Sequence, residues 1–135
     1  MRQISFRLKP GKLLKEEIEN YAVTHNILAG CLLSIVGGLD KTVLRMADAT
    51  PESQIIKTWE EPVEIVSGTG TISNEGCHLH ISVSDSHGNV FGGHLKDGCV
   101  VKFTAEVVLL VFEDVVYKRL PDSATGFGEL TVENL

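Results

Sequence analysis

Apolar and polar positions alternate over residues 2–8, the signature of a strand, until Pro10-Gly11 breaks the run. The spacing then changes. Between residues 12 and 26, Leu14, Ile18, Tyr21, Ala22 and His25 recur every three or four residues, which predicts an amphipathic helix. Glu16, Glu17 and Glu19 fall on its wet face, and Asn26 is placed as its C-terminal stop. Beyond the helix the pattern is that of β-structure. Residues 30–36 are a buried apolar run ended by Gly37-Gly38; residues 41–47 form a second strand, 49–53 a turn and 54–59 a third strand. Within 62–72, the segment Ser67-Gly68-Thr69-Gly70-Thr71 is placed to bend or bulge a strand. Two strands around residues 85–89 precede residues 101–112, the most β-rich stretch, against which 115–120 pair back. No repeat, low-complexity tract or linker interrupts the pattern, so residues 1–135 read as a single domain. The class predicted is α+β: a mostly antiparallel sheet with one main amphipathic helix packed on it.

The segment Cys77-His78-Leu79-His80-Ile81-Ser82-Val83-Ser84 alternates without a fault. Successive side chains on a strand point to opposite faces, so Leu79, Ile81 and Val83 share the core side and His78, His80, Ser82 and Ser84 the other. Asp85-Ser86-His87-Gly88 suits a type I turn followed by a left-handed glycine, a three-residue hairpin with a bulge. Counting back from that turn sets Ser84 opposite Val90, Ser82 opposite Gly92 and His80 opposite His94. Opposed residues project from one face with Cβ atoms roughly 4.5–5.5 Å apart. His78, His80 and His94 therefore converge from two adjacent strands. Three imidazoles hold a divalent ion, zinc above all, and leave one tetrahedral position open for water or substrate. A slip of one residue would send His94 to the core face. The plainer alternative is three polar residues on a wet sheet face. Paired glycines inside a strand mark a bulge or a close approach, so Ser82, Gly92 and Gly93 are expected to form a shallow ligand floor beside the histidines. His25, at a helix end, and His87, at a turn tip, read as structural or exposed.

Composition narrows the classes. With 43% hydrophobic residues and 6% aromatics, 135 residues build one sizeable, mainly aliphatic core. No segment approaches the ~18 apolar residues of a membrane span, and the first residues turn charged before a signal-peptide core forms, so the expectation is a cytoplasmic protein. Cys31, Cys77 and Cys99 are odd in number and form no CxxC pair; they read as buried core thiols. A net charge of −6 argues against strong autonomous affinity for DNA, which needs a basic stripe. A local patch such as Lys118-Arg119, or a DNA-tethered partner, stays open.

Phe6-Arg7-Leu8-Lys9-Pro10-Gly11, Thr42-Val43-Leu44-Arg45, His78-Leu79-His80 with Gly92-Gly93-His94-Leu95, Thr104-Ala105-Glu106-Val107-Val108 and the segment from Arg119 to Phe127 resemble the plants-and-prokaryotes-conserved (PPC) domain family. The resemblance covers nearly the whole chain, and its HLH…GGHL element is the specific part. It implies an antiparallel sheet with flanking helices, a homotrimer, and the DNA-binding label that stand-alone prokaryotic members carry, plant members being nuclear DNA-binding regulators. Plant members carry AT-hooks beside the domain; this sequence has no Arg-Gly-Arg-Pro core, which weakens the DNA label. The HxH with a later histidine is also similar to the zinc site of acetolactate decarboxylase, a lyase of the same general fold.

These residues support two functional readings. One is a metal-binding homotrimer acting near DNA, weakly or through partners. The other is a metal-dependent enzyme acting on a small carboxylate or carbonyl compound, in which the ion serves as Lewis acid or activates water. Glu106, a charge inside an otherwise apolar strand, with Arg45 as its candidate partner, is either part of the metal's surroundings or a structural ion pair or trimer contact. A small-molecule sensor using Ser67-Gly68-Thr69-Gly70-Thr71 as an anion site lacks the P-loop lysine, so a turn or bulge is preferred there.

Overall fold

The computed structural model describes residues 1–135. In it the alternating N-terminal run is strand β1 (Arg2–Leu8), followed by helix α1 (Leu14–Thr24), β2 (Gly30–Arg45), β3 (Ile56–Trp59), β4 (Val63–Ser73), β5 (Gly76–Ser84), β6 (Val90–Leu95), β7 (Val100–Val111), β8 (Val115–Pro121) and β9 (Gly128–Asn134). A seven-stranded sheet has the order β1-β7-β2-β4-β5-β6, with β3 paired to β2, and every pairing is antiparallel. The expected α+β class, a mostly antiparallel sheet with one helix, is what the chain adopts.

The helix buries Leu14, Ile18 and Ala22, four residues apart, against the inner face of the sheet. It ends as its sequence foretells. Asn26 takes a left-handed φ of 50°, the Ile27 amide donates to the Ala22 carbonyl at 2.9 Å and the Asn26 amide to Val23 at 3.2 Å. This is the Schellman arrangement that caps orphan carbonyls. The glutamates do not sit in water as expected. Glu16 and Glu19 are half-buried and bind backbone: Glu16 accepts the Gly98 amide at 3.1 Å and Glu19 the Cys77 amide at 3.3 Å. They tie the helix to both ends of the β5–β6 region. The core is aliphatic, with Ile27, Leu39, Leu44, Leu79, Val83, Leu95 and Leu109 wholly enclosed.

Three other expectations are corrected. Gly37-Gly38 does not end a strand: β2 runs unbroken for 16 residues. A Cβ at Gly37 would lie 2.0 Å from the Thr104 carbonyl oxygen, so the glycine instead lets β2 and β7 approach through a register shift. Residues 115–120 do not return to β7; β8 pairs with β9 in a separate two-stranded sheet. Of the three cysteines only Cys99 is buried, while Cys31 and Cys77 are half-exposed. The bulge expected in 62–72 is present as a shift between Ile65 and Ser67.

One topological feature positions the site. The first half of β2 pairs with β4, and its end turns back to pair with β6, opposing Leu44 to Leu95 and Arg45 to His94. Strands β2, β4, β5 and β6 thus form a closed circuit, and the outer side chains of β6 are held between those of β5 and β2.

Candidate metal centre

The hairpin joining β5 and β6 has the register its turn dictates. His80 opposes His94, Ser82 opposes Gly92 and Ser84 opposes Val90. Asp85 builds the turn. Its carboxylate accepts the amides of His87 and Asn89, each at 2.9 Å, and the Gly88 amide donates to the Asp85 carbonyl at 3.0 Å. Gly88 closes the turn at φ 81°, in the left-handed region that favours glycine.

That register brings the three histidines together on the outer face. Their ring nitrogens include a set lying within 4.8 Å of one another. Ring centroids are 4.8 Å apart for His78 and His94, 5.1 Å for His78 and His80, and 5.4 Å for His80 and His94. A tetrahedral ion with bonds of about 2.0–2.1 Å sets its nitrogens about 3.3 Å apart, a closure within reach of small rotations of the rings. Electrostatics favours the neutral, ligating form. Desolvation and then the nearby Arg119 guanidinium push His78 below the ordinary imidazole range. Desolvation and Arg45 push His94 down to about 3. A set of three imidazole nitrogen donors, two half-buried and one exposed, suits zinc.

The glycines have a steric reason. A Cβ on Gly92 would lie 2.4 Å from the Ile81 carbonyl oxygen, and one on Gly93 2.7 Å from that of Arg45. Gly92 and Gly93 border a depression of about 360 Å³ with His80, His94 and Arg45, whereas Ser82 does not reach it.

Arg45 and Glu106 part company. Arg45 extends one guanidinium nitrogen to within 3.1 Å of His94 Nδ1 and lies over the Phe127 ring, 5.0 Å from its centroid. Glu106 is exposed on β7, opposite Arg7 and Val36, and no ion pair joins it to Arg45. The charge is inexpensive there because that face is open. Lys118 and Arg119 do not form a basic patch either. Alternation along β8 sends Lys118 to Glu133, at 2.9 Å, and Arg119 towards β4, where it donates to Thr71 Oγ1 at 2.6 Å.

A family model described as the Plants and Prokaryotes Conserved (PCC) domain matches residues 1–113. The chain belongs to that family. Proteins named bifunctional protein GlmU from two Synechococcus strains resemble this PCC domain, one at 39% identity over 135 residues and the other at 40% over 127. The chain spans about a fifth of the length of these curated relatives, 21% and 20%. A protein of Salmonella enterica has the same structure at a TM-score of 0.92 and 28% identity, over 98% of this chain and 94% of that one. A protein of Archaeoglobus fulgidus described as metal-containing matches at a TM-score of 0.84 and 28% identity, over 97% and 94%. Two more distant structures share the fold alone. One, from Bacteroides thetaiotaomicron, has a name proposing DNA binding (TM-score 0.85, 21% identity, 96% and 91% covered). The other, from Staphylococcus aureus, is described as similar to alpha-acetolactate decarboxylase (0.54, 19%, 82% and 52%).

Sequence reading placed Arg119 only in a candidate basic patch and missed Phe127 and Glu129; all three stand across a cleft from His78 and His94. They belong to the β8–β9 hairpin, whose docking is a long-range contact that leaves no periodic mark on the chain. Also missed is the contact of Glu19 with Cys77. Burial and this carboxylate push the Cys77 thiol up to about 12, which makes it a poor metal ligand despite its place beside His78.

Proposed function

We propose that this PCC domain is a metal-binding homotrimer with a DNA-associated regulatory role exercised through partners. The convergence of His78, His80 and His94 on one outer face carries the reading. The metal-containing relative from Archaeoglobus supports it, and the name of the Bacteroides structure supports the association with DNA. One divalent ion, zinc, would be held by the three imidazoles with a fourth position free for water or ligand.

The open face of the sheet supports assembly. Leu33 and Val36 on β2 and Val66 on β4 are 53–56% exposed. They share the open face with Cys31, Val108 and Leu110. Monomers seldom leave such a patch uncovered, and a second and third copy of the chain are its natural cover.

The test is elemental analysis of the purified chain beside the His80→Ala variant. About one equivalent of zinc per chain is expected in the wild type, with most of it lost in the variant. Equal metal content in both would overturn the assignment. A second reading, a metal-dependent enzyme acting on a small carboxylate or carbonyl compound, is favoured by the cleft next to the triad with its two arginines. An ion there would act as Lewis acid or water activator, and chelator-sensitive turnover of such compounds would establish it.

A further inference from the structure

We propose that the cleft between the histidine triad and the β8–β9 hairpin binds a small carboxylate, with Arg45 and Arg119 as its charged clamps. The inference builds on the metal reading, because an ion on the triad adds the second attraction that holds a small anion in so open a cleft.

The cleft has a volume of about 290 Å³, and Arg45, Arg119, Phe127, His78 and His94 all face it. The two guanidiniums flank the imidazoles. Arg45 lies within 3.1 Å of His94 Nδ1, its cross-strand neighbour. A neutral His94 that holds an ion has no lone pair left to accept from it, so with the ion bound that guanidinium edge is free for a ligand. Arg119 is anchored at Thr71 Oγ1, and Thr71 is the cross-strand neighbour of His78. Both arginines are half-buried, yet neither meets a carboxylate at ion-pair distance, whereas Lys15, Lys102 and Lys118 all do. Partly desolvated charge without a directly paired counter-charge is unfavourable. A guanidinium also carries five donors in a planar fork that matches a carboxylate. Each of these arginines commits at most one side-chain hydrogen bond within the protein. Phe127 stacks under Arg45 and limits its freedom, so little orientation remains to be lost on binding.

Size and shape narrow the ligand. The volume sits at the bottom of the usual range for ligand cavities, about 300–1,000 Å³, which fits a compound of a few carbons. Glu19, Glu75 and Glu129 also border the cleft. Each has a local donor: Lys15 for Glu19, the Arg119 amide for Glu75 and the Thr125 hydroxyl for Glu129. Their charges oppose any anion, and since attraction to the arginines and to the ion grows with ligand charge just as this repulsion does, charge by itself does not separate a carboxylate from a phosphate. The planar guanidinium forks favour a planar carboxylate, and phosphate is the comparison that tests this.

The test is calorimetric titration of the zinc-loaded full chain with pyruvate, with neutral pyruvamide and inorganic phosphate as comparisons. Arg45→Gln and Arg119→Gln are titrated alongside, with zinc content and melting temperature measured for each. Saturable pyruvate binding is expected, weakened tenfold or more in each variant at unchanged zinc content, with pyruvamide silent and phosphate weaker. Variants that bind like the wild type, pyruvamide binding as tight as pyruvate, or no pyruvate binding by fully loaded protein would overturn the site. Phosphate binding tighter than pyruvate would overturn the carboxylate assignment. If the wild type takes up no zinc, the metal reading fails separately and the metal-free chain is titrated instead. Binding that still depends on both arginines supports the clamp, and its absence overturns it.

Discussion

Single residues at this site answer to steric and electrostatic demands that can be told apart. Gly70 is the sharpest steric case. It sits in β4 with φ 144°, and a Cβ there would lie 1.9 Å from the carbonyl oxygen of His78. The missing side chain is what lets β4 lie flat against the strand that carries two of the three histidines. Gly70→Ala is therefore expected to destabilise the fold by about 3 kcal/mol and to reduce zinc uptake, because β5 must shift to admit the methyl group. Denaturant melts and metal analysis of the same preparation check this, and a variant as stable as the wild type would refute the close-approach argument. Arg45 and Arg119 are the electrostatic case. The sequence offered Arg45 as a partner for Glu106, since Glu106 interrupts an apolar strand and both residues match the family pattern. The structure separates them because β2 turns its end towards β6 while Glu106 faces the open side of β7.

The β5–β6 hairpin shows why some elements are legible in a sequence. Its strand alternates perfectly, its turn has a glycine where a left-handed residue is required, and the register comes out by counting. The helix is legible for the same reason, down to Asn26 as its stop. The features that could not be read depend on partners distant in sequence. The Gly37-Gly38 pair resembles a terminator because glycine weakens strands, and only the approach of Thr104 gives it another purpose. The docking of β8 and β9, and with it Arg119 and Phe127, is likewise set by tertiary contact alone. The turn also yields a prediction about pH. Two amides, of Asn89 and His87, hold the Asp85 carboxyl below its ordinary value of 3.8. A depressed folded-state pKa means that the carboxylate's contribution to stability is present above the unfolded value and is lost as pH falls through the folded one. Asp85→Asn should then be less stable than the wild type at pH 6, with the gap narrowing below pH 3.8. Thermal melts at pH 6 and pH 3 test it, and a pH-independent gap would exclude a charge-dependent turn.

At the scale of the whole molecule, charge and shape bear together on DNA. Affinity for a duplex comes largely from neutralised phosphates, and its logarithm falls with the logarithm of salt by about 0.9 per contact. Each chain carries a net −6, so a trimer carries −18, three times that, and its long-range field repels a polyanion. The local exception the sequence left open is closed by the strand geometry, which turns Lys118 to Glu133 and Arg119 into the cleft. The one helix, α1, has 11 residues; it packs its apolar side on the sheet and has no basic residue in its last turn. Nothing in that helix is shaped to read a major groove. Weak binding of the isolated chain to generic duplex DNA is therefore expected at physiological salt, together with a threefold chain mass by light scattering at micromolar concentration. A salt titration of binding by fluorescence anisotropy decides the first point. Tight binding with a steep salt slope would mean that assembly creates a basic surface that no single chain possesses. A monomer mass would leave Leu33, Val36 and Val66 uncovered and would require another protein on that face. If binding is weak and the mass is that of a trimer, any action at DNA passes through a bridging partner. The arginine-flanked cleft would then be the place where a small carboxylate can influence that bridge.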